Sequence, residues 1–146
     1  MADANTDAGL LTPTRKQVLI ASTVLFVISL GVLIPALGIF IGFIFTITGG
    51  VAGGITIGAL RKRGGTDGAK YGAIVGVVGG LPSSIVGVTI GTITNFFIAA
   101  SEPGNGDAFG GFVIFAIVGF FSGMLFKVGG ATLFGALTGA ILDERE

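Results

Sequence analysis

The sequence predicts an all-α polytopic membrane protein, a bundle of about four glycine-rich transmembrane helices. Three observations predict it. Charged residues make up 11% of the 146, against 51% hydrophobic, with a mean hydropathy of +0.97; a soluble domain of this size carries about 25% charge to coat its surface. Charge is also absent over long stretches: Gln17 to Leu60, Tyr71 to Ser101, and Phe109 to Leu142 apart from Lys127. One helical span needs only about 20 residues. Finally, glycine is abundant, 28 of 146, and most glycines lie inside those apolar stretches, where they let membrane helices approach closely.

Residues 1–16 read as a disordered polar tail that ends on Arg15 and Lys16. The first uncharged stretch is long enough for two spans, and Pro35 lies where a hairpin between them would turn. This places helix 1 near 17–34 and helix 2 near 37–60. A secretory signal is the rival reading of helix 1; the directly following second span and the lack of an A-x-A cleavage pattern speak against it. Arg61, Lys62, Arg63 and Lys70 then flank Gly-Gly-Thr-Asp-Gly, read as a polar loop. Helix 3 is placed near 69–91, with 92–100 running into the interface at Asn95, Phe96 and Phe97. Glu102-Pro-Gly-Asn-Gly-Asp107 is a strong turn. Helix 4 is placed near 109–141, and residues 143–146 form a charged C-terminus.

Basic residues precede helix 1 and lie between helices 2 and 3, whereas 101–108 holds two acids and no base. The positive-inside rule therefore predicts a multi-pass protein of the cell membrane with both termini cytoplasmic.

Taken every fourth residue, the helices show stripes of small side chains. Helix 2 gives Gly38, Gly42, Thr46, Gly50, Gly54 and Gly58. Helix 3 gives Gly68, Gly72, Gly76, Gly80 and Ser84. Helix 4 gives Gly119, Gly123, Lys127, Ala131, Gly135 and Gly139. Positions i and i+4 share one helix face, so each stripe is a smooth groove for a neighbouring backbone. Two readings stand: packing within the chain, or seams between copies in an oligomer or pore. Helix 1 has no such stripe, and its Val, Leu, Ile and Phe are expected to face lipid. A shift of 81 residues pairs Gly42 with Gly123, Phe45 with Phe126, Gly54 with Gly135 and Gly58 with Gly139. A parallel two-plus-two duplication would produce this, and so would coincidence between two glycine-rich spans.

Several chemistries are excluded. There is no Cys and no His, which removes thiolate ligands, disulfides, imidazole bases and the Ser-His-Asp triad. Net charge is zero, without the basic excess that nucleic-acid binding requires. The glycines beside Arg61–Arg63 lack the phosphate-loop pattern, Ser122-Gly123 is no nucleophile elbow, and no carboxylate lies within a span. No metal site, cofactor or catalytic residue is expected. Arg61, Lys62, Arg63 and Lys70 serve topology and are candidates for contact with lipid headgroups. Pro82, followed by Ser83 and Ser84, would kink or break helix 3. Lys127 is the one charge inside a span. It either marks a site or snorkels to the cytoplasmic face, with helix 4 ending near it.

Ile34-Pro35, Thr48-Gly-Gly-Val-Ala-Gly-Gly54, Asp67-Gly-Ala-Lys-Tyr-Gly-Ala73, Leu81-Pro82 and the Gly-rich end at 129–139 together resemble a family of small four-span archaeal membrane proteins, mostly of halophiles, catalogued as a domain of unknown function. The resemblance implies a fold and a location and carries no mechanism. The expected function is that of a structural or accessory membrane component, self-associating or bound to a membrane-protein partner through helix contacts. The alternative is a small channel or transporter with its pathway near Lys127 and the Pro82 break.

Overall fold

A computed structural model of the chain describes residues 13–33, 38–61, 64–100 and 108–143. All of them are helical: α1 (Pro13–Ser29), extended by one 3-10 turn (Leu30–Leu33), α2 (Gly38–Arg61), α3 (Gly64–Ala100) and α4 (Ala108–Asp143). Helix is the natural outcome for such a sequence in lipid, because it satisfies every interior backbone N–H and C=O within the segment. Three helices, α2, α3 and α4, are long and apolar enough to cross a membrane.

Several boundaries differ from those read in the sequence. Helix 1 begins at Pro13 rather than near 17. Proline suits the first helical position because its missing N–H would have no helical partner there. Arg15 and Lys16 therefore belong to α1, and the rest of the proposed tail lies outside the described residues. Helix 3 begins at Gly64 rather than near 69, so Gly-Gly-Thr-Asp-Gly is its first turn and not a loop. Gly64 has φ +81°, a left-handed conformation that glycine adopts without strain, and Asp67 places its charge at the positive end of the helix dipole. Helix 3 also runs to Ala100 and passes through Pro82 without a break. Pro82 is exposed, so its ring faces outward. Helix 4 is continuous through Lys127 to Asp143, which removes the reading in which it ends near the lysine. The hairpin residues around Pro35 and residues 101–107 lie outside the described residues.

The helices alternate in direction. Gly79 of α3 meets Ser22 of α1, while Gly49 and Gly53 of α2 meet Ser29 and Leu25. Gly50, Gly54 and Gly58 follow Lys127, Ala131 and Gly135 in step, so α2 and α4 run parallel. Along the longest seam α3 is antiparallel to α4, pairing Gly64 with Gly139, Gly68 with Gly135 and Gly72 with Ala131. Any up-down-up-down bundle makes α2 and α4 parallel, so this course does not by itself distinguish duplication from coincidence.

The core is thin. Ala21 and Leu25 of α1, Ile57 of α2, Val75 of α3 and Ala131 of α4 are fully buried and form one cluster, with Val18 and Tyr71 against it. The expectation that the Val, Leu, Ile and Phe of helix 1 face lipid is therefore corrected for Leu25. Ala21, Leu25 and Ser29, with Ser22 beside them, form a buried face, and Arg15, Lys16, Leu19, Ile20, Thr23 and Val27 are exposed. The large apolar residues sit outside instead: Phe97 is 69% exposed, Phe121 67% and Leu125 72%. A water-soluble protein does not display contiguous apolar surface on this scale, and lipid is the solvent that accommodates it.

Candidate functional site

Two groups of residues stand out: the buried lysine within the glycine seams, and a polar cluster at the end of the bundle where α2 passes into α3.

The seams place Lys127. A Cβ added at Gly54 would lie 2.6 Å from the Ala131 carbonyl oxygen, and one at Gly50 2.9 Å from that of Lys127. On α3, Gly76 lies against Val128, and Gly68 and Gly72 lie against the backbone of Gly135 and Ala131. No side chain fits between these backbones, so α2 and α3 both close on the Lys127–Gly139 face of α4. Gly80 leaves room for the lysine stem: a Cβ there would be 3.3 Å from Lys127 Cβ and Cδ. The amine is thereby turned inward. Lys127 is 4% exposed, and Nζ donates to Ser83 Oγ at 2.9 Å and Ser84 Oγ at 3.0 Å. Ser83 Oγ in turn donates to the Gly80 carbonyl at 3.0 Å. The described carboxylates are far away. Asp67 lies about 24 Å along α3 from Ser83, and Asp143 the same distance along α4 from Lys127, at 1.5 Å per residue.

The structure thus brings Lys127, Ser83 and Ser84 together. Pro82, their neighbour in sequence, points away from them to the surface of the bundle. Two further serines of the interior were not singled out in the sequence. Ser22 and Ser29 of α1 are buried, and neither Oγ has a hydrogen-bond partner among the described residues. For Ser29 the signal is the i, i+4 series Ala21, Leu25, Ser29, and Ser22 shares that side of the helix seven residues before Ser29.

The stripes are not in contact over their whole length. Gly50, Gly54, Gly58, Gly72, Gly76, Gly80, Gly135 and Gly139 all meet a neighbouring helix. Among the described residues, Gly119 has nothing within 4 Å, and Gly123 meets only Thr46 Cγ2 at 4.0 Å. The surroundings of Gly42 lie outside the described residues.

At the other group, Arg61 Nε donates to Asp67 Oδ2 at 2.7 Å and Nη1 to Thr14 Oγ1 at 3.3 Å, and the guanidinium carbon lies 3.6 Å from the centre of the Tyr71 ring. Gln17 Nε2 donates to the Leu60 carbonyl at 3.0 Å, taking up one of the acceptors that the end of α2 leaves open. Arg61 therefore ties α1, α2 and α3 together, and its side chain is 8% exposed. Of the four bases expected to meet headgroups, this one is turned inward. Lys70 is exposed, and Lys62 and Arg63 lie outside the described residues. No cluster of metal-ligating side chains occurs among the described residues.

An all-helical bundle with a thin core, small residues in its helix seams and large apolar side chains outside is a membrane-embedded helical bundle. Compared with protein-family models, curated proteins and solved structures, the chain has no significant match.

Proposed function

We propose that the protein is a non-catalytic structural or accessory component of the cell membrane that associates with a second copy of itself through α4. The observation that carries this reading is the unequal use of one stripe. Gly135 and Gly139 are in backbone contact with α3, whereas Gly119 and Gly123, on the same face of α4, meet among the described residues only Thr46 Cγ2, 4.0 Å from a Cβ at Gly123. Small residues at this spacing support close helix approach in membranes, and here a partner outside the chain would supply it. Self-association is tested by sedimentation equilibrium in detergent. The parent chain is expected as a dimer or larger, and Gly119→Leu as a folded monomer. A monomeric parent would remove the proposal.

In this reading α1 is a fourth span: its α-helical and 3-10 turns together reach about 33 Å, close to the roughly 30 Å hydrocarbon core. Kinship with the four-span archaeal family is part of the proposal and rests on the glycine and proline motifs alone.

A second reading rests on Lys127. A cation without a carboxylate partner among the described residues, about 18 Å along α3 from the Tyr71 level, would sit close to the bilayer midplane. Intramembrane charges cost several kcal/mol and mark functional sites by default. As a small channel or transporter, the protein would favour anions near this amine. Anion flux into vesicles reconstituted with the parent, abolished in Lys127→Met, supports this reading. No flux above empty vesicles eliminates it.

A further inference from the structure

We infer that the outer groove between α1 and α3 binds one anionic phospholipid, its phosphate at the head of α1 and one of its chains laid along the two helices. The inference rests on membrane embedding and is independent of self-association.

The groove consists of two adjoining cavities. One, of about 320 Å³, opens at Thr14, Arg15 and Tyr71. The other, of about 230 Å³, ends at Phe26 and Pro82. Leu19 and Val78 line both, so the two are continuous along α1. From Thr14 to Phe26 the groove is about 18 Å long at 1.5 Å per residue, close to the roughly 15 Å depth of one leaflet's hydrocarbon. A single lipid chain fits that length.

The chemistry changes along its length as a lipid's does. Val18, Leu19, Ile74 and Val78 make the walls apolar. The open end is basic: Arg15 and Lys70 are exposed, and Lys70 Nζ lies 5.8 Å from the centre of the Tyr71 ring at the rim. The first turn of α1 contains Arg15 and Lys16 and no acid. Positive side chains at the positive end of a helix dipole repel it, and a bound anion relieves that repulsion. The headgroup set is Arg15 with Lys70, the two exposed bases at the open end.

The test counts lipids retained by the full chain in native mass spectrometry after exposure to phosphatidylglycerol or phosphatidylcholine in detergent. One phosphatidylglycerol per chain should persist, and phosphatidylcholine should not. Arg15→Gln should weaken retention about fivefold, the effect of one base at a membrane surface. Val78→Trp fills the groove from an exposed position and should abolish retention without changing thermal stability in lipid-free detergent. Leu19→Trp does the same from the opposite wall, should Val78→Trp fail to fold. Equal retention of both lipids in variable number would mean an unspecific annulus. Displacement of the lipid by inorganic phosphate would mean a headgroup site without a chain. A dimer that Val78→Trp dissociates would put a second copy in the groove. Each of these overturns the inference.

Discussion

Ser22 and Ser29 show what the interior of this bundle demands of a side chain. Both face glycines: Ser22 through its backbone against Gly79, and Ser29 through its hydroxyl against Gly49. Size decides what can stand there, and polarity is the cost of it. A buried hydroxyl without a partner costs roughly 1–3 kcal/mol. Ser29→Ala keeps the close approach and removes the orphaned oxygen, so it should stabilise the protein by about 1 kcal/mol, seen as a rise in Tm in detergent. A fall of that size would show that the hydroxyl is engaged. Lys127 is the opposite case. Its amine has two hydroxyl acceptors, and removing either serine withdraws a partner from a group that has no access to water.

Among the elements, α4 carries the most. Its small-residue face serves α2 and α3 together, so one added side chain disturbs two seams. A Cβ at Gly54 would already be 2.6 Å from the Ala131 carbonyl, and overpacking of this kind costs about 1–3 kcal/mol. Gly54→Leu should lower Tm in detergent, whereas Gly129→Leu, with nothing within 4 Å among the described residues, should leave Tm unchanged. Equal effects at the two positions would mean that the seams do not hold the bundle. The Arg61 cluster works at the same scale. Its ion pair and ring contact close the α2–α3 connection, and its hydrogen bond to Thr14 anchors the start of α1. The turn was legible as a place where the chain reverses. That its glycines were already helix was not, because glycine and aspartate read as loop until a packing partner fixes them; Gly65 and Gly68 rest on Ala136 and Gly135.

For the molecule as a whole, orientation is the open quantity, and it is argued from charge. Bases cluster at the end of the bundle formed by the start of α1 and the α2–α3 connection, and 101–108 carries only acids. The chain has no cysteine, so single cysteines report cleanly. Thr66 is exposed in the first turn of α3. Asn105→Cys should react with an impermeant thiol reagent added outside intact cells, and Thr66→Cys should react only after permeabilisation. Labelling of Thr66→Cys alone would invert the orientation.

The all-helical class, the membrane as solvent, the order of the helices and the contact stripes are properties of composition and of four-residue spacing, and both can be read along a line. Lys127 was conspicuous for the same reason: it is the one charge in a long uncharged stretch. What the line does not contain is distance between helices. Only the tertiary structure decided that Lys127 turns inward onto Ser83 and Ser84, that α1 buries a serine-lined face, and that Arg61 is taken up by Asp67. It also separated the part of the α4 stripe that is closed within the chain from the part that is open among the described residues. Each depends on which backbones come near enough to exclude a Cβ. That is set by the fit of whole helices against one another, a property that no single segment carries.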